Sequence, residues 1–190
     1  MKKDGRYAWT IKITIISFIL SMSISVVTNL MLENVGIAIA FLVLAFVVSV
    51  GIIFDIIGIS VTSASEAPFH AMGTRGIKGS KEAIKLIRNA EKVSSFCNDV
   101  IGDIVGIVSG GLVATIAATI VRSSESTNEM VLNIFLSGVV AAVTIGGKAM
   151  GKSVAINNGN KILSIAGSVI HFFNSLFKSD KKTKKKRDKQ

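Results

Sequence analysis

Four stretches of this chain are long and apolar enough to cross a hydrocarbon layer, and that removes most folds from consideration. A membrane-crossing helix needs about 20 largely apolar residues. In lipid every backbone N–H and C=O must be satisfied internally, which leaves helices or closed barrels. Ile13–Leu32 carries no charge. Val35 to about Thr62 carries one, Asp55, and Val100–Val121 carries Asp103. Met130–Gly147 is charge-free and near the lower length limit. Lys2, Lys3 and Arg6 ahead of the first stretch would also suit a signal peptide. Its long run and the lack of a clear small-residue cleavage site favour a retained helix. The expectation is an all-α integral membrane protein with four transmembrane helices.

Composition agrees, with 49% hydrophobic and 18% charged residues, against about 25% charged in soluble domains. The net charge of +10 is a matter of placement rather than of a surface field. From Lys178 to Gln190 there are eight Lys/Arg and two Asp, six of the ten net charges. If the four stretches span, the N-terminus, the 64–96 linker and everything after Gly147 share one side. Together they hold 21 of the 22 Lys/Arg. The opposite loops hold Arg122 with Glu33, Glu125 and Glu129. Basic residues stay on the cytoplasmic side, so the expected location is the plasma membrane, of bacterial inner-membrane type, multi-pass, with both termini cytoplasmic.

Two further segments read as interfacial helices. Lys81–Val93 interleaves Ala83, Ile84, Leu86, Ile87, Ala90 and Val93 with Lys and Arg, the pattern of a helix lying on a membrane. Lys161–Phe177 repeats it and ends in Phe172, Phe173, Leu176 and Phe177. This places one cytoplasmic juxtamembrane amphipathic helix after the second span and another after the fourth. The organisation expected is an N-terminal stub and helix over 1–34, a membrane domain over 35–177 and a basic disordered tail over 178–190. That tail suits anionic lipid. Nucleic-acid binding is not expected, since no aromatic residue interleaves the basic run.

Gly146 to Ser153 satisfies the phosphate-loop pattern of Gly, four residues, Gly-Lys-Ser. That pattern carries meaning only between a strand and a helix of an α/β domain, and no strand–helix alternation surrounds it here, so no nucleotide is expected. Nor is an enzyme, because no nucleophile–base arrangement is visible. The single cysteine, Cys97, excludes an intramolecular disulfide and reads as a small apolar filler. His70 and His171 read as interfacial side chains rather than ligands.

Charges inside a span are costly and therefore point to function. Asp55, Asp99 and Asp103 lie within or at the edge of spans, and Asp99 and Asp103 share a helix face at four-residue spacing. Clustered carboxylates need a cation or a proton between them. A hard cation such as magnesium takes oxygen ligands, and Ser60, Thr62 and Ser109 offer neutral ones. The other reading of the same residues is an ion pair with Lys148 or Lys92, with Asp99 as a cap at the membrane boundary. Gly102, Gly106, Gly110 and Ala114, and then Gly138, Ala142 and Gly146, form small-residue ridges at which helices approach closely. Such ridges suit a bundle or a homodimer.

From about Gly51 to Phe177 the chain resembles the transmembrane domain (domain of unknown function 21) of the cyclin-M and CorC magnesium-transporter family. The residues that carry the resemblance are Thr62-Ser63-Ala64-Ser65, then Ala83-Ile84-Lys85-Leu86-Ile87-Arg88-Asn89-Ala90-Glu91-Lys92, and the end of the last span, Gly147-Lys148-Ala149-Met150-Gly151-Lys152. The resemblance implies a cytoplasmic juxtamembrane helix and magnesium as the ion. The departures are Asp55 and Gly58 where the family has Ser and Glu, Gly102-Asp103 in place of an Asn-rich stretch, Lys148 in place of Glu, and Gly151 in place of Pro. The first span lies outside the family domain. No stretch resembles the family's CBS pair, which leads to the expectation of a separate regulatory protein.

Two functions follow as expectations. In one, the protein binds or transports a divalent cation, Mg2+, through Asp55 and Asp103, with Asp99, Ser60, Thr62 and Ser109 as further oxygens. In the other, it is a non-transporting scaffold or regulatory subunit with the ion site replaced by a Lys148–Asp pair. The partners expected are the lipid bilayer and a second copy of the chain.

Overall fold

The computed structural model describes residues 3–32, 36–123 and 128–187, with side chains over 9–26, 36–122 and 128–176. The described residues are helical, with no strand among them. In order they form α1 (Lys3–Leu32), α2 (Ile37–Ser63), α3 (Ala67–Thr74), α4 (Ser80–Arg88), α5 (Ala90–Ser95), a π-helical turn (Phe96–Ile101), α6 (Gly102–Ser123) and α7 (Glu129–Arg187). Among the described residues, four helices are long and apolar enough to cross a membrane, over Trp9–Val26, Ile37–Ser63, Ala90–Arg122 and Glu129–Leu176. Each contains or overlaps one of the four stretches read from the sequence. Helix continues through Arg187 over residues expected to form a disordered tail, whose last three lie outside the described residues.

The backbone divides into two compact units. One comprises residues 1–55 and 96–151, the other 56–95 and 152–190. In the first unit, Ala40, Leu44 and Val48 recur every fourth residue along α2 and are buried with Val100 and with Ile104, Val108, Leu112, Val113 and Ile116 of α6. That is the single apolar stripe a packed helix presents. α1 lies on α6, with Ile13, Leu20 and Ile24 half-buried against this core. The closest approaches are at glycines. A Cβ on Gly51 would stand 2.7 Å from Val105, and one on Gly147 would stand 2.5 Å from Ile52.

The second unit is built on Val61, Phe69, Ala83 and Leu163. Ile84, Leu86 and Ile87 of α4 pack against it, which uses the apolar side of a helix whose other positions are mostly Lys, Glu and Arg. Gly79 opens α4 at φ +88°, the left-handed region that glycine alone enters without strain. A Cβ there would also strike the Ser168 backbone N at 2.5 Å. Opposite it, a Cβ on Gly167 would strike the Gly79 carbonyl at 2.5 Å and the Ala83 N at 3.1 Å. α7 leaves helical geometry at Asn158 (φ −121°, ψ 21°). The end of α2 supports that kink. The Ser63 hydroxyl is placed to donate to the Ala155 carbonyl at 3.3 Å, and the Ser65 N–H donates to Asn160 Oδ1 at 3.1 Å.

Candidate functional site

In the first unit, the charge that sequence alone marks as misplaced on α2 meets the one on α7. Lys148 Nζ lies 3.5 Å from Asp55 Oδ1, with 32% and 15% of the two side chains exposed. The glycine contacts explain how they meet. Gly51 stands one turn before Asp55 and admits Val105, while Gly147, beside Lys148, admits Ile52. Gly102, the first residue of α6, faces the ammonium, so that a Cβ there would lie 3.5 Å from Lys148 Nζ. A side chain at position 102 would therefore touch the ammonium directly. The site is a partly buried carboxylate beside a partly buried ammonium, with glycines at the close approaches around it.

The other residues marked in the sequence differ in exposure and hydrogen bonding. Asp103 is exposed in the first turn of α6, and Asp99 is exposed within the π-helical turn. Ser109 is buried and donates its hydroxyl proton to the Gly106 carbonyl of its own helix at 3.1 Å. Ser60 and Thr62 belong to the second unit. Thr62 is exposed and donates to the Ile59 carbonyl at 2.8 Å, whereas the Ser60 hydroxyl is fully buried and has no hydrogen-bond partner among the described residues. A resident magnesium ion calls for oxygen ligands in a near-octahedral array. Among the described residues no three His, Cys, Asp or Glu side chains gather to hold a metal, and the half-buried carboxylate, Asp55, faces an ammonium.

Of the small-residue ridges, Gly102 faces Lys148, whereas four other glycines face open space within the chain. Cβ atoms on Gly106, Gly110, Gly138 or Gly146 would meet nothing within 4 Å. The tightest glycine contacts are at Gly51, Gly79, Gly147, Gly159 and Gly167.

Sequence reasoning missed the ionic partners of two glutamates in the second unit. His171 Nδ1 of α7 lies 3.1 Å from Glu82 Oε1 of α4, with 39% and 16% of the side chains exposed. Burial raises the Glu82 pKa, but the hydrogen bond with His171, helped by a backbone hydrogen bond and the charges of His171 and Lys85, holds it below the usual value. Glu66, just before α3, meets both Arg88 and His70 at 3.2 Å. Hydrogen bonds from Arg88 and then His70 lower its pKa. Both histidines thus pair with a glutamate. No protein-family model, curated protein or solved structure matches the chain.

Proposed function

We propose that this chain is a multi-pass protein of the plasma membrane, with both termini cytoplasmic, in which Lys148 supplies the positive charge beside Asp55 that a cation would otherwise supply. It then acts as a non-transporting membrane scaffold or regulatory subunit. The contact of Lys148 Nζ with Asp55 Oδ1 at 3.5 Å carries this reading. A lone carboxylate in a span is costly, and a lysine tethered to the neighbouring helix neutralises it with no ion from solution. Gly102, facing the ammonium, leaves it room. The orientation rests on the 21 basic residues assigned to one side. Amphipathic character in 81–93 and 161–177 belongs to the same reading, as does the resemblance to the cyclin-M and CorC transmembrane domain. So does a homodimer, since Gly106, Gly110, Gly138 and Gly146 leave surfaces that a second copy can approach. A separate regulatory protein would bind on the cytoplasmic side.

A second reading, transport of Mg2+ as cargo, draws on the same geometry. The lysine meets only one carboxylate oxygen, at a long distance, so an entering divalent cation would compete with it for Asp55. Magnesium flux into proteoliposomes separates the two. The scaffold reading expects no flux above that of empty liposomes, for the parent and for Lys148→Ala alike. Flux in the parent that disappears when Asp55 and Asp103 are both changed to Ala establishes transport and removes the scaffold reading.

A further inference from the structure

The second half of α7 has two apolar faces, and only one of them is covered. Ala155, Gly159, Leu163 and Gly167 recur every fourth residue and are buried in the second unit. Roughly opposite, at the i, i+4, i+7, i+11 positions of another helical stripe, stand Ile165, Val169, Phe172 and Leu176, with Phe173 beside them. Each of these exposes about half of its surface or more. A groove of about 380 Å³ lined by Ser164, Ile165, Ser168, Val169 and Phe172 runs along this face. A helix packed on a water-soluble core would carry polar residues there. Soluble proteins rarely leave contiguous apolar patches beyond a few hundred Å².

The sequence that follows identifies the occupant. Within the next 13 residues stand Lys178, Lys181, Lys182, Lys184, Lys185, Lys186, Arg187 and Lys189 against two Asp. An apolar stripe ending in aromatic residues and running into a dense cationic segment matches the two layers of an anionic bilayer surface, acyl boundary and charged headgroups. We infer that the outer face of α7 from Ile165 to Leu176 docks on anionic lipid, with the basic segment after it holding the helix to the headgroups. The inference rests on the multi-pass reading, since the same chain must already be in the membrane.

The experiment uses the full chain with Cys97→Ala and one environment-sensitive thiol label, at Val169→Cys or, as a reference within the last span, at Phe135→Cys. Both host positions are exposed in the isolated chain. The protein is placed in nanodiscs of phosphatidylcholine alone or with one-third phosphatidylglycerol, and quenching by aqueous iodide is measured. The label at 135 is shielded in both lipids. The label at 169 is shielded in the phosphatidylglycerol discs and opens again with salt. Changing Lys181, Lys182, Lys184, Lys185 and Lys186 to Gln returns it to the accessibility seen in phosphatidylcholine, with about a fivefold weaker preference for each lysine removed. Equal accessibility of label 169 in the two lipids overturns the inference while a shielded label 135 leaves the membrane reading standing. An accessible label 135 overturns the membrane reading itself. Shielding of label 169 that is independent of lipid charge, with disulfide-linked dimers forming through unlabelled Val169→Cys, assigns the face to a second copy and also overturns the inference.

Discussion

His171 of α7 and Glu82 of α4, 89 residues apart in the chain, meet at 3.1 Å in a partly buried contact. Next to it Gly167 and Gly79 touch backbone to backbone, so the ionic contact and the glycine contact fix the same pair of helices. Glu82 has its pKa lowered from an ordinary 4.5 despite burial. A carboxylate with a lowered folded pKa contributes stability above its unfolded value and loses it as pH falls through the folded one. Thermal stability of the parent should therefore decline below about pH 4.5, and Glu82→Gln should be less stable near neutrality with a shallower decline in acid. Melting curves of both proteins in the same detergent across pH check this. Parallel curves would remove Glu82 from the acid response.

The Asp55–Lys148 pair has a different signature. Removing one member of a fully buried pair costs about 3–5 kcal/mol, whereas removing both together is far milder; with 32% and 15% of the two side chains exposed, the cost here lies below that range. Lys148→Ala should therefore melt well below the parent, and Asp55→Asn with Lys148→Met should recover most of the loss. Thermal denaturation of the single and double variants in one detergent checks the coupling. A Lys148→Ala protein that melts like the parent removes the pair as a stabilising contact.

Asp55 and Lys148 were legible from sequence because a charge in an apolar run has no other explanation than a partner or a function. Their pairing was left open there between Lys148, Lys92 and a cation, since nothing in two remote segments fixes which helix faces meet. Glu82 was illegible for the opposite reason. It sits among Lys81, Lys85 and Arg88, where a solvated charge is the ordinary expectation, and its partial burial appears only once α7 is laid beside α4. The four apolar spans were legible from length alone. The helix break at Asn158 was not, because no proline marks it. Its one signal in the sequence is the polar run Asn157-Asn158-Gly159-Asn160. The glycine ridges show what spacing alone leaves open. Gly106 and Gly110 have the spacing of a packed ridge and face open space. The ridge that packs, Ala155, Gly159, Leu163 and Gly167, has the same spacing but contains a leucine.

The two sets of glycines yield opposite expectations for the same substitution. Gly106→Ala and Gly110→Ala add a methyl where nothing lies within 4 Å, and alanine favours a helix over glycine by about 1 kcal/mol. These variants should match or exceed the parent in thermal stability. If a second copy packs there, they should weaken dimerisation measured by single-molecule photobleaching in bilayers. A pronounced loss of monomer stability would contradict the open space.

Gly167→Ala should destabilise, because its Cβ would fall 2.5 Å from the Gly79 carbonyl and 3.1 Å from the Ala83 nitrogen. Backbone cannot step aside as a flexible side chain can, so the clash forces α4 away from α7, with a cost of about 1–3 kcal/mol typical of overpacking. Gly79→Ala combines the same kind of clash, against the Ser168 nitrogen, with a backbone at φ +88° that disfavours any Cβ. It should be the more damaging of the two. Separating α4 from α7 would also part Glu82 from His171, so the acid dependence of Gly167→Ala should approach that of Glu82→Gln. Melting temperatures across pH for the two glycine variants check both statements. A Gly167→Ala protein with the stability and acid profile of the parent would show that α4 and α7 do not make this contact.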